Sequence, residues 1–195
     1  MKTIKYTILA LVALINLNSC SSDDDAVPAI INEEEVITTL SVTLVPQTGA
    51  TVILTSRDLD GDGPNPPVIT ISGPLQAGMR YSGSLILQNE TVSPAELINE
   101  EIEEEADEHQ FFYRLTGGLD ATVTYSDSEN DYLSNSSANP VGLEFSLQAN
   151  AVSSGGLTIT LIHEPAKDAA GVVNGDITNA AGETDVEQTF NLSIE

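Results

Sequence analysis

The sequence predicts a mainly β protein, a single antiparallel β-sandwich of about eight to nine strands that is immunoglobulin-like or jelly-roll-like. Short segments rich in Val, Ile and Thr alternate between apolar and polar residues, as half-buried strands do. A chain of 195 residues, 41 % of them hydrophobic, is long enough for one domain with a core. Its 14 glycines and 9 prolines are ordinary globular usage, which excludes collagen-like and low-complexity classes.

Nine segments carry the alternation of a strand. They are 36–44, 50–56, 68–72, 79–88, 109–116, 119–126, 141–148, 156–163 and 185–194. Short strands separated by turns are typical of an antiparallel sandwich. Gly117 and Gly118 separate two of these segments, and both positions tolerate a positive φ, which predicts a two-residue hairpin there.

One acidic helix is predicted near 94–108. Ser93 is a capping residue, and Pro94 suits the first helical position. An apolar stripe with helical spacing follows, formed by Ala95, Ile98, Ile102 and Ala106. Acids fill most other positions, and like charges four residues apart destabilise a helix by a few tenths of a kcal/mol, roughly, per pair. The helix is therefore expected to need docking, a cation or a partner.

Two polar stretches, 126–140 and 164–184, are longer than ordinary connections. Segments of this length are either binding loops or mobile. They are therefore candidates for function as well as for motion.

The N-terminus has the pattern of an export signal. Lys2 and Lys5 precede an apolar run over 8–17, which is too short to cross a bilayer about 30 Å thick. The following Leu17-Asn18-Ser19-Cys20 resembles the bacterial lipoprotein box, in which the signal is cut before the cysteine and the thiol receives lipid. The resemblance implies a signal peptide over 1–19 and lipidation of Cys20. A plain secretory signal or a buried helix is the alternative.

An acidic stretch over 20–35 begins at Cys20 and is expected to be a solvated, lipidated tether. A single β-rich domain over 36–195 is expected to follow it. Ser21-Ser22-Asp23-Asp24-Asp25 resembles the export tag of surface lipoproteins in Bacteroidetes-type bacteria. The implied location is the outer membrane, lipid-anchored and facing the cell surface, with the periplasmic leaflet as the alternative. The formal net charge of −24 excludes nucleic acid and anionic headgroups as favourable ligands.

Alternating carboxylates indicate candidate cation sites. Asp58, Asp60 and Asp62, with Gly63 at the sixth place, resemble the first half of a calcium loop, in which a tight turn directs several oxygens at one hard cation. The twelfth place holds Ile69 instead of a bidentate Glu. Calcium binding and a plain acidic turn are both open. A weaker candidate of the same kind is the loop with Asp127, Glu129 and Asp131.

The two histidines of the chain are His109 and His163. Each lies at a position of its predicted strand that faces the same side as the inward-facing apolar residues. Each also has an adjacent glutamate, Glu108 or Glu164. Imidazole with carboxylate suits a transition metal, so the pair is a candidate site. Local hydrogen bonding at two strand ends is the alternative.

The chain is not expected to be an enzyme. It has no Trp and 9 Phe plus Tyr, too few for the aromatic platforms on which glycosidases bind sugars. Lipidation uses the single cysteine. Neither a Gly-x-Ser-x-Gly elbow nor a phosphate-binding glycine loop is present in the sequence.

The chain also resembles small uncharacterised Bacteroidetes lipoproteins often labelled "type 1 periplasmic binding fold superfamily protein". The resemblance is carried by the segments 33–40, 58–65, 108–113 and 174–179. It brings no assigned binding residues, and it implies an envelope lipoprotein that partners an outer-membrane uptake receptor. The expected function is that of a binding or accessory module, with a structural or adhesive envelope protein as the alternative.

Overall fold

Ten strands form two antiparallel sheets in the computed structural model, which describes residues 35–61 and 63–195. The strands are β1 (Thr39–Pro46), β2 (Val52–Arg57), β3 (Val68–Ile71), β4 (Arg80–Asn89), β5 (Glu96–Leu97), β6 (His109–Thr116), β7 (Ala121–Tyr125), β8 (Glu144–Ala149), β9 (Ser153–His163) and β10 (Glu183–Ile194). Two short helices are α1 (Asn99–Glu104) and α2 (Glu129–Tyr132), and 3₁₀ turns lie at Val172–Asn174 and Ile177–Asn179. The predicted signal peptide, Cys20, the tether up to residue 34, and Asp62 lie outside the described residues.

The predicted sandwich is confirmed. The larger sheet has the order β3-β2-β1-β4-β8-β7, with β5 paired to the end of β4, and the smaller sheet has the order β10-β9-β6. All strand pairs are antiparallel. Inward-facing side chains of both sheets share one core, with Tyr81 and Phe145 from the larger sheet and Phe111 and Phe190 from the smaller among its bulkiest members. No helix in the described part of the chain is long and apolar enough to cross a membrane.

The hairpin predicted at Gly117-Gly118 is wrong. Both glycines have positive φ, but β6 pairs with β9 and β7 with β8, so the turn carries the chain from one sheet to the other. The backbone of β9 lies against this corner. A Cβ on Gly155 would lie 2.1 Å from the carbonyl oxygen of Thr116. Gly117 and Gly118 therefore permit the turn, and Gly155 permits the close contact between the β9 backbone and the turn.

The acidic helix is present but shorter than predicted. Its expected first turn is replaced by β5, which pairs with Gln88 and Asn89 at the end of β4. The helix begins at Asn99, whose side chain hydrogen-bonds to the β4 backbone. Ile102 and Ala106 of the predicted stripe are buried, whereas Ala95 is exposed. Pairing with β4 thus replaces the first helical turn.

Both long polar stretches pack against the sandwich. The stretch after β9 places Val172 and Ala180 against Phe112 and Ile162, forming a small second core on the outer face of the smaller sheet. Its Lys167 forms a buried ion pair with Glu129 of the other stretch, Nζ to Oε1 3.0 Å. The two stretches are therefore joined to each other as well as to the sheets.

Candidate metal centre

The two histidines meet at one end of the smaller sheet. His109 begins β6 and His163 ends β9, and the two residues are directly opposite in the antiparallel register. Opposite residues of an antiparallel pair project from the same face, which brings the rings together. The ring centroids are 4.5 Å apart with an interplanar angle of 17°. The proximity required by the transition-metal interpretation is therefore present.

Two carboxylates complete the group. Asp185 lies where the register between β10 and β9 shifts, between Thr184 and Val186, and such a bulge re-aims a side chain. Glu35 comes from the segment before β1, and its Oε1 lies 2.7 Å from Nε2 of His109. We call Glu35, His109, His163 and Asp185 the metal cluster.

The metal cluster has a suitable donor set and spacing. One ligand atom from each residue lies within 4.8 Å of those of the others. The His109 side chain is fully buried, and that of Glu35 is 2 % exposed. Two imidazole nitrogens and two carboxylate oxygens suit Zn²⁺, whose bond lengths of about 2.0–2.2 Å place tetrahedral ligands roughly 3.3 Å apart. Around a bound ion, Oε1 of Glu35 and Nε2 of His109, which lie 2.7 Å apart, would therefore move slightly apart, and more widely spaced ligand atoms would move closer.

A backbone carbonyl orients the His109 ring. Nδ1 lies 3.1 Å from the carbonyl oxygen of Glu105, which can only accept, so Nδ1 carries the hydrogen and donates it. Nε2 is directed at the carboxylates, where it either donates to Glu35 or presents a lone pair to a cation. A second hydrogen bond that fixes the ring in this way is typical of metal-binding histidines.

Each carboxylate of the metal cluster has one buried oxygen without a compensating partner among the residues that the structure describes, although His109 contacts the other oxygen of Glu35. Glu35 Oε2 and Asp185 Oδ2 are buried without a hydrogen-bond partner within the described ranges. Burial, followed by the charge of Glu35, raises the pKa of Asp185 to about 7. Burial opposes ionisation of Glu35, but the hydrogen bond and charge of His109 lower its pKa overall. Without metal, Asp185 therefore holds a proton at pH values below about 7, and a divalent cation would displace it.

We expect the metal-free protein to lose stability as pH rises from about 4 through about 7. Burial alone would lower the pKa of His109, but the hydrogen bond and charge of Glu35, the Glu105 carbonyl and the charge of Asp185 together outweigh burial and raise it. Asp185 and His109 therefore both bind protons more tightly when folded. Their stabilisation is complete below the unfolded pKa values, 3.8 and 6.5, and is lost as pH rises through the folded values.

Thermal melts in chelator across this pH range measure the effect. Asp185→Asn should flatten the fall in melting temperature, because the neutral amide cannot lose a proton. Asp58→Asn removes a carboxylate that lines the same cleft and should leave the slope unchanged. Equal slopes for the wild type and Asp185→Asn would contradict the assignment.

The candidate calcium loop is an acidic turn in its described part. Asp60 Oδ2 accepts a hydrogen bond from the side-chain amide of Asn65 at 2.7 Å, which lowers the pKa of Asp60. Asp58 Oδ1 accepts from the backbone N–H of Asp60 at 3.3 Å. Because Asp62 lies outside the described residues, the calcium site stays a prediction.

The second acidic loop has a separate partner for each carboxylate. Asp127 accepts from the backbone N–H groups of Gly142 and Glu144 and from the hydroxyl of Tyr132. Glu129 pairs with Lys167, and Asp131 accepts from the backbone and hydroxyl of Ser128. Within the part of the chain that the structure describes, these three do not form a group with metal-binding spacing.

Sequence reasoning missed Glu35 and Asp185. Glu35 ends an acidic run, and the composition of that run predicts a tether, with no sign of a binding role for Glu35. Asp185 precedes the inward-facing residue Val186, so the alternation in β10 predicts that Asp185 faces outward. The alternation gives no sign of the bulge that redirects its side chain. Of the glutamates adjacent to the histidines, Glu108 does approach His163, Oε2 to Nε2 3.8 Å.

No family model matches the chain, and comparisons with curated proteins and with solved structures found no match. The chemistry of the metal cluster is therefore inferred from its own geometry.

Proposed function

We propose that this chain is a binding lipoprotein of the bacterial cell envelope that holds one divalent transition metal ion, with zinc the best fit, in the metal cluster. The observation that carries the proposal is the convergence of two imidazoles with two buried carboxylate oxygens that have no hydrogen-bond partner among the described residues. Burying carboxylate oxygens without partners is unfavourable, and a divalent cation would give Glu35 Oε2 and Asp185 Oδ2 the positive partner that His109 supplies to only one oxygen of Glu35.

The coordination favours binding over catalysis. Catalytic zinc sites use three protein ligands and keep one position for water or substrate, whereas structural sites use four. The metal cluster offers four ligands. A set of four ligands with both imidazoles buried suits retention of the ion, in keeping with a non-enzymatic role.

The proposed location and partner rest on the sequence. The Leu17-Asn18-Ser19-Cys20 box supports a lipid anchor at Cys20, and the acidic residues after it support export to the outer-membrane surface, with the periplasmic leaflet as the alternative. An outer-membrane uptake receptor is the proposed partner, on the resemblance to Bacteroidetes lipoproteins.

Titration calorimetry of the purified full-length chain, stripped with chelator, tests metal binding. We expect one Zn²⁺ per chain, and His109→Gln should weaken binding at least 100-fold, because even outer-shell changes alter affinity about 10–100-fold. Asp60→Asn is the matched control and should bind zinc as the wild type does. Circular dichroism confirms that each variant is folded.

Two results would count against the proposal. A folded wild-type chain that binds no transition metal would leave the structural or adhesive role as the better explanation. Binding of Ca²⁺ alone, abolished by Asp60→Asn and not by His109→Gln, would instead assign the cation to the acidic turn.

A further inference from the structure

We propose that Glu105, Glu108 and His163 form an outer capture position, from which a divalent cation passes to the buried metal cluster. This inference rests on the proposed metal-binding function and adds the route by which the ion reaches its site. We call these three residues the capture group.

The capture group spans the distance from solvent to the buried rings. Its three ligand atoms lie within 4.8 Å of one another. The Glu108 side chain is 50 % exposed, whereas that of His163 is 7 % exposed. An ion held by Glu108 can therefore exchange with water on one side while contacting an imidazole of the metal cluster on the other.

A second set of carboxylates joins the capture group to the metal cluster. Glu35, Glu101 and Glu105 also offer one ligand atom each within 4.8 Å. Glu105 is common to this set and the capture group, and Glu35 is common to this set and the metal cluster. Because Glu35 Oε2 is buried and has no hydrogen-bond partner within 35–61 and 63–195, the inner end of the route offers an oxygen ligand for the arriving ion.

The negative charge around the route favours capture of a cation. Burial and the charges of Glu35 and Glu105 raise the pKa of Glu101, so the carboxylates there repel one another. Three further acids of α1, Glu100, Glu103 and Glu104, lie on its exposed positions. Converging charge of one sign raises the local cation concentration and speeds association by about 10–1,000-fold.

A second opening to the metal cluster provides the competing route. Glu35 and Asp185 also line a cleft of about 520 Å³ that Asp58 and Gly61 border. An ion could reach the same ligands from this side without meeting Glu108. Neutralising Glu108 should slow zinc association if the ion enters through the capture group. Neutralising Asp58 should slow it if the ion enters through the cleft.

Stopped-flow mixing of Zn²⁺ with the stripped full-length chain, read by competition with a fluorescent chelator, separates the routes. We expect Glu108→Gln and Glu105→Gln each to slow association about tenfold. The dissociation constant should change less than the rate, because the four final ligands remain. Glu104→Gln is the matched comparison: it removes one charge of the surrounding field from α1 without altering the capture group, so it should slow association clearly less than Glu108→Gln does.

Each outcome has a distinct meaning. Equal association rates for Glu108→Gln and Glu104→Gln would overturn the capture position while leaving the metal cluster intact. A slower rate in Asp58→Asn alone would assign access to the cleft instead. Failure of the wild type to bind zinc at all would remove the proposed function itself.

Discussion

Lys167→Met is expected to lower the free energy of unfolding by about 3–5 kcal/mol, since removal of one partner leaves an uncompensated buried charge. Nζ of Lys167 lies 3.0 Å from Oε1 of Glu129, and both side chains are 5 % exposed. The ammonium group also donates to the carbonyl oxygens of Ala106, after α1, and Pro140. Its loss would therefore release three segments of the chain from one another.

Urea denaturation of the full-length chain measures this loss. The double variant Lys167→Met with Glu129→Met should recover part of the stability, because no buried charge is then left unpaired. Arg114→Met removes an exposed positive charge from β6 and should change stability by no more than about 0.5 kcal/mol. Similar small losses for Lys167→Met and Arg114→Met would falsify the structural role of the ion pair.

The strands were predictable because their signal is local. Side chains of a strand alternate between two faces, so burial of one face imprints a period of two on the sequence itself. The segments 109–116 and 156–163 were both found in this way. Which strands pair is a different matter, since it depends on the packing of the whole core. His109 and His163 lie opposite each other because β6 pairs with β9. Neither segment alone predicts that pairing.

The features that were missed depend on non-local contacts. The Gly117-Gly118 pair fits a hairpin by conformation, yet pairing of β6 with β9 determines its role as a corner between sheets. The bulge at Asp185 likewise exists only relative to β9. Lys167 did carry a signal: it is the only lysine after Lys5, and it lies within a long polar stretch of a strongly acidic chain.

Asn99→Leu is the second substitution with a large expected effect. The β4 backbone is paired with β8 at Arg80–Ser84 and with β5 at Gln88–Asn89, and Asn99 fills the gap between them. Its Oδ1 accepts from the N–H of Leu87 at 2.8 Å, and its Nδ2 donates to the carbonyl oxygen of Leu85 at 3.0 Å. The carboxamide thus takes the place of a peptide group from a neighbouring strand.

Leucine fills a similar volume but can make neither hydrogen bond. The buried N–H of Leu87 and C=O of Leu85 would be left unpaired, at about 1–3 kcal/mol each, so we expect a total loss of about 2–6 kcal/mol. Urea denaturation measures it, with Asn191→Leu on an exposed position of β10 as the matched control. The control should stay within about 0.5 kcal/mol of the wild type. If Asn99→Leu were as stable as the control, β4 would have to find other partners for these two groups, and the helix start at Asn99 would need another cause.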